Sequence, residues 1–242
     1  MSEMTRSAQS PRPPAALGST AHSIRHPLVR ALLVLTFTTG LVDAVSYLGL
    51  GRVFTANMTG NVVMLGFGIA GSGGLPVVSP LVSLAAFLLG SGCGGVLARR
   101  IGERRPEHIA RALAIEVALI ALTAALAAAF DIRVNAFSGD ALVALLGFAM
   151  GVRNATVRRL AVPDLTTTVL TMTLTSLAAE SRPAGASGDG TVRKLGAVVA
   201  MLSGALAGAL LLKSSVTLPL VAAAALALLT WLVYVPAARR GP

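Results

Sequence analysis

Side chains that commonly carry chemistry are scarce in this chain. Its 242 residues hold one cysteine, three histidines, one tryptophan and ten carboxylates. The single cysteine, Cys93, excludes an intrachain disulfide and leaves the redox compartment open. His22, His26 and His108 lie outside the apolar runs, and no two have the spacing of a zinc site. Neither a metal nor another cofactor is expected. A GxxxxGK[ST] loop is absent, which removes nucleotide hydrolysis by that route. There is no Ser/His, Cys/His or paired-carboxylate constellation either, so the chain is not expected to be an enzyme.

Charge is scarce as well. Only 12% of residues are charged against 55% apolar, and the mean hydropathy is +0.78. A soluble domain cannot hide that much apolar surface, and several runs approach the roughly 20 residues that cross a bilayer. The composition is that of an integral membrane protein whose first partner is the lipid bilayer. The net charge of +10 would suit nucleic acid. The arginines, however, lie between apolar runs, so orientation in the membrane accounts for them and no nucleic acid is expected.

Residues 1–27 are polar and rich in Pro, Ser and Arg, the composition of a disordered tail. The tail has no apolar core or cleavage site of its own and is not read as a signal peptide. A first membrane unit covers 28–130, a linker 131–140, a second unit 141–236 and a short tail 237–242. Within the first unit the apolar runs are Leu28–Leu48, Phe54–Ala70, Leu81–Ala98 and Ala112–Phe130. Arg99–Arg111 is expected as a charged loop. The second unit offers Ala141–Val157, Leu165–Ala179, Leu195–Leu212 and Val216–Val235, with a Gly/Ser linker at Ser181–Lys194. Trp231 and Tyr234 near the last end have the placing of interfacial anchors.

Counting positive charge decides between topologies. Arg153 lies inside a span, and 19 Lys/Arg remain. If all eight runs cross, they split 10 inside and 9 outside. If Phe54–Ala70 and Leu165–Ala179 enter and return on the same side, 16 fall inside and only Arg52, Arg133 and Lys213 outside. The second arrangement is the one that the positive-inside rule selects, with both termini cytoplasmic. The expected fold is therefore all-α and polytopic, with six transmembrane helices and two short re-entrant or half-length helices.

The chain also looks duplicated. A shift of 111 places Phe37, Gly40, Ala44 and Thr55 on Phe148, Gly151, Ala155 and Thr166, and Asp43 on Asn154. A shift of 112 places Thr59, Ser91 and Gly92 on Thr171, Ser203 and Gly204. With three crossings per half the second half is inverted, an arrangement met in transporters with the site at the repeat interface.

Two runs carry a resemblance. GLVDAVSYLGLGRVFTANMTGN at 40–61 and GVRNATVRRLAVPDLTTTVLT at 151–171 resemble the YoaK family of bacterial inner-membrane proteins. The likeness extends over about Leu28–Val235. It implies a multi-span protein of the bacterial inner membrane and brings no substrate, reaction or cofactor.

Candidate site residues follow from polar groups at membrane depth. A carboxylate there costs about 2.5–3.5 kcal/mol on insertion scales, so Asp43 is expected to have a partner or a task. It is read as a proton or cation ligand or, more plainly, as an acceptor for backbone amides of the turn near Asn57–Asn61. Asn57, Thr59 and Asn61 stand at the expected tip, where amides and hydroxyls can replace a solute's hydration. Arg153, Asn154 and Thr167 are their counterparts, with hydroxyls bonding back to helix carbonyls as the plainer account of the threonines. A direct Asp43–Arg153 pair is not expected, because an inverted repeat separates them along the membrane normal. Glu116 is expected to pair with Arg111 or reach water, with a role in an ion path as the alternative. Gly90, Gly94, Gly204, Gly208 and Cys93 read as helix-packing positions. The leading function is a secondary transporter or channel-like permease for a small solute or ion. The alternative is a non-transporting scaffold that binds lipid or a partner, which requires a dry, packed interior around Asp43.

Overall fold

The computed structural model describes residues 27–102, 105–134, 136–160, 170–179 and 190–239. These form helices and, among the described residues, no strand. The helices are α1 (Pro27–Ala44), α2 (Met58–Ile69), α3 (Val78–Ile101) and α4 (Arg105–Ala129), then α5 (Phe137–Leu160), α6 (Leu170–Ala179), α7 (Thr191–Leu212) and α8 (Thr217–Arg239). A π-turn at Val45–Gly49 extends α1 to 23 residues. Six helices are long and apolar enough to cross a membrane: α1 with its π-turn, α3, α4, α5, α7 and α8. At 1.5 Å per residue the 12 residues of α2 cover about 18 Å, short of the roughly 30 Å hydrocarbon layer. The expected all-helical, six-span architecture is what the chain adopts.

Helix ends differ from expectation where charge was read as loop. Arg105–Arg111 belongs to α4, whose first turn carries Pro106 and Glu107. Proline gives up no intrahelical bond there, and a carboxylate suits the positive helix end. Arg193 and Lys194 likewise lie in the first turn of α7 and are buried, so the second linker is shorter than its composition implied.

Almost all tight packing runs between the two halves of the chain. α1 packs on α7 and α8, α5 on α3 and α4, and α4 on α8. Neither half closes a core by itself. The seams α1–α7 and α3–α5 are built alike. A methyl added at Gly204 would fall on the Phe37 carbonyl, and one at Gly90 on the Phe148 carbonyl. At Gly40 it would meet Met201 and Ala205, and at Gly151 Phe87 and Ser91. Glycine lets the backbones approach this closely. The like contacts relate Phe37 and Gly40 of α1 to Phe148 and Gly151 of α5, an offset of 111. They put α7 at an offset of 114 from α3, correcting the 112 read from the letters. Gly90 and Gly94 therefore answer to Gly204 and Gly208, whereas Gly92 meets nothing within 4 Å. Cys93 is a second correction: it is exposed on the outer side of α3 and not in the seam.

Two buried clusters stack along the bundle. One joins the end of α1 to the starts of α5 and α8, through Leu41, Val42, Val45, Leu142, Leu146 and Leu220 among others. The other joins the start of α1 to the start of α4 and the end of α5, through Leu28, Leu32, Ile109 and Val157. The second cluster sits at the end of the bundle that carries Arg30, Arg99, Arg100, Arg158 and Arg159, called the basic face below.

Candidate functional site

At the face opposite the basic one, α1 ends in an irregular hairpin. The π-turn runs into Gly51 and Arg52, whose φ values of 117° and 57° turn the chain sharply back. Glycine takes such a φ without steric cost. The returning strand of chain reaches the depth of Asp43, about 9 Å below Gly49 at 1.5 Å per residue. There Asp43 Oδ1 accepts hydrogen bonds from the amides of Thr55 at 3.2 Å and Ala56 at 3.1 Å. α2 then rises again, capped by Asn57, whose side chain accepts from the Gly60 amide at 3.2 Å. Asn61 closes the hairpin. It accepts from the Phe54 amide at 2.9 Å and donates to the Phe54 carbonyl at 2.6 Å. It also contacts Ser83 Oγ on α3 at 3.1 Å, and Ser83 donates to the same carbonyl at 2.7 Å. Stacked rings of Tyr47 and Phe54, with centroids 4.9 Å apart, cover the turn. The amides of Phe54, Thr55 and Ala56 and the Phe54 carbonyl thus find side-chain partners, as a lipid environment favours.

The second polar constellation lies toward the basic face, where α1, α4, α5 and α8 meet. Arg153 on α5 is 3% exposed. It donates through Nη1 to the Leu35 carbonyl at 2.9 Å and to Thr39 Oγ1 at 2.6 Å. Through Nη2 it donates to Thr38 Oγ1 at 2.9 Å and to Glu116 Oε1 on α4. Thr38 and Thr39 each donate their own hydroxyl hydrogen to the Leu35 carbonyl, at 2.8 and 2.9 Å. That fixes both hydroxyls with their lone pairs toward the guanidinium. Glu116 is 1% exposed, so its pairing with Arg153 corrects the expected partner, Arg111 or water. A cavity of about 30 Å³ adjoins this ion pair. It is walled by Leu32 and Leu35 of α1, Leu113 of α4, Val157 of α5 and Thr230 and Tyr234 of α8.

The predicted residues therefore separate into two places. Asp43 and Asn61 are buried and bind backbone of the hairpin, while Asn57 and Thr59 are exposed near its tip. Arg153 stands apart from them with its own partners, so no direct pair with Asp43 forms. Asn154 is half-buried and donates to the Met150 carbonyl at 2.9 Å. Thr167, with Thr166 and Thr168, lies outside the described residues. Thr175 bonds back to the Thr171 carbonyl at 2.9 Å, the plainer account given for the threonines. Thr38 and Thr39 were not among the candidates, and Glu116 was weighed with the wrong partner. One signal for Glu116 was available: it is the carboxylate of α4 that lies farthest from a helix end, opposite an unmatched arginine.

The model for the family described as "Protein of unknown function (DUF1275)" matches residues 31–233, and the chain belongs to that family. It is also similar to the UPF0700 transmembrane protein YoaK of Bacillus subtilis (strain 168). The two are 34% identical over 166 residues, which is 65% of this chain and 68% of the relative. No solved structure matches.

Proposed function

We propose, starting from membership of that family, that the chain is a secondary transporter or channel-like permease for a small solute. It sits in the bacterial inner membrane with both termini cytoplasmic, because the basic face then meets the cytoplasm. One observation carries the reading: the buried Glu116–Arg153 pair joins α4 of the first half to α5 of the second beside a cavity. A buried ion pair is a poor way to gain stability, since apolar residues of similar volume do as well or better. Charges at membrane depth are costly and rare, and where they face the bundle interior they commonly mark solute and proton pathways.

Two further features support it. The matched seams α1–α7 and α3–α5 are those expected of two inverted repeats that exchange their middle helices. In such proteins the site lies where the repeats meet. The bundle is also asymmetric along its axis: the end near Asp43 is packed with Leu41, Val42, Leu146 and Leu220, whereas the cavity lies toward the basic face. A solute would enter from the cytoplasmic side, and Asp43 and Asn61 would brace the closed outer end. The reading assigns no catalytic step.

The scaffold alternative has one observation of its own. Asp43 is 5% exposed within the packed cluster, as a non-transporting protein requires. Uptake by proteoliposomes containing the full chain separates the two. Flux of a cationic, anionic or neutral small solute, above that of empty vesicles and lost in Arg153→Lys, supports the permease. Flux equal to empty vesicles for all three classes overturns it and leaves the scaffold.

A further inference from the structure

We infer that the cavity at Arg153 is a binding site for a small monovalent oxyanion, which enters together with one proton taken up by Glu116. As a statement about transport this rests on the permease reading; as a statement about binding it does not.

The argument begins with unused hydrogen-bonding capacity. A guanidinium has five N–H donors. Leu35, Thr38, Thr39 and Glu116 take up bonds from Nη1 and Nη2. The Nε–H has no acceptor among the described residues, although Arg153 is 3% exposed. Nε and Nη2 together form the fork that grips two oxygens of one carboxylate or nitrate. Nη2 bonds both Thr38 and Glu116 while Nε has no acceptor, so an oxyanion that grips Nε and Nη2 competes with Glu116 for Nη2. One arm of the fork is thus without a partner among the described residues, on a side chain that lines a cavity of about 30 Å³ together with Glu116.

Charge balance supplies the proton. If an oxyanion takes both positions of the fork, the Glu116 carboxylate loses its partner. Two anions against one guanidinium in a site this dry cost several kcal/mol unless one is neutralised. Protonation of Glu116 from the basic face restores neutrality. The anion arrives, one proton binds Glu116, and the net charge of the site is unchanged. The other ionisable group on the wall is the phenol of Tyr234 on α8. α1 brings only apolar groups and hydroxyls to the site, its Asp43 being bound to the Thr55 and Ala56 amides. The ionisable residues toward the basic face are Glu107, His108 and Arg111 on α4 and Arg158 and Arg159 on α5.

Size and charge limit the ligand. A cavity of this volume holds about one or two water molecules. That suits an oxyanion of three or four heavy atoms, such as formate or nitrate. One guanidinium compensates one negative charge, so sulfate is excluded by its second charge, and phosphate, with five heavy atoms, by its size.

The test measures binding to the purified full chain in detergent, by calorimetry in buffers of different ionisation enthalpy. Formate and nitrate are the probes and sulfate is the control. Expected is saturable binding of formate and nitrate with uptake of about one proton per anion, and no sulfate binding. Glu116→Gln preserves shape, and is expected to bind the anion about tenfold or more tightly at neutral pH with no proton uptake. Arg153→Lys removes the fork and is expected to weaken binding at least about tenfold. If Arg153→Lys does not fold, the isosteric Glu116→Gln carries the test. Folded wild-type chain that binds neither probe overturns the inference, even where a neutral or cationic solute is transported. Binding without proton uptake overturns the exchange at Glu116. Proton-linked binding without any flux leaves the anion site standing and sinks the permease reading.

Discussion

Glu116 and Arg153, 37 residues apart, form a buried ion pair that ties the first half of the chain to the second. Removing one partner leaves the other as an uncompensated charge among apolar side chains. Glu116→Ala is expected to destabilise by about 3–5 kcal/mol. Replacing both, in Glu116→Leu with Arg153→Met, is expected to cost far less or to stabilise. Thermal unfolding in detergent checks this. If the double variant is as unstable as the single, the pair is a structural bond and not a functional one.

Asp43 has a different role, and its variants separate accordingly. Its Oδ1 holds the amides of Thr55 and Ala56. Asp43→Asn keeps an acceptor oxygen but loses the charge, and is expected to cost about 1–2 kcal/mol. Asp43→Ala leaves two buried amides unpaired and is expected to cost about 2–4 kcal/mol. Hydrogen exchange at Thr55 and Ala56 should accelerate in both variants, more so in Asp43→Ala. Any solute flux should persist in Asp43→Asn. Loss of flux with unchanged exchange at those amides would return Asp43 to the transport path.

The six crossings and the short hairpin helix were legible because hydrophobic run length and arginine placement are strong, local signals. The apolar run at 54–70 already implied a return to the same side, and α2 is too short to cross. Helix ends were misread at Arg105–Arg111 and at Arg193 and Lys194, because charge was equated with loop. The polar partners were harder. Asp43 as an acceptor for hairpin amides was within reach, although the amides are those of Thr55 and Ala56, 12 and 13 residues on, and not of the expected Asn57–Asn61. Arg153 with Glu116, Thr38 and Thr39 was not, because residues on three helices meet only once the halves interlock. Apolar periodicity specifies which face of a helix is buried, not which buried polar group it will meet.

The repeat register offers a sharper comparison. The offset of 114 makes Gly90 and Gly204 equivalent, each facing a phenylalanine carbonyl across its seam. Gly90→Ala and Gly204→Ala should destabilise by similar amounts, about 1–3 kcal/mol. Gly92→Ala should change stability by less than about 0.5 kcal/mol, since a methyl there meets nothing within 4 Å. The offset of 112 reverses this and pairs Gly92 with Gly204. A sensitive Gly92 beside a tolerant Gly90 would refute the register drawn from the packing.

Orientation follows from charge and can be read with single cysteines, because the chain has only Cys93 to remove. In a Cys93→Ser background, Ser72→Cys and Arg133→Cys probe the face where α1 ends, and Arg99→Cys and Arg158→Cys probe the basic face. All four positions are exposed. A membrane-impermeant maleimide added to intact cells should label positions 72 and 133 and spare 99 and 158 until the inner membrane is opened. The cationic residues supply the reason: Arg30, Arg99, Arg100, Arg158, Arg159, Arg193 and Lys194 lie at the basic end of the bundle, and translocating such residues is opposed during insertion. The reverse pattern would place the cavity toward the outer side and make the solute's entry periplasmic. Labelling of both sets from one side would require an even number of crossings between them. That would leave α1 and α7, whose glycine seams need them to run in the same direction, pointing opposite ways.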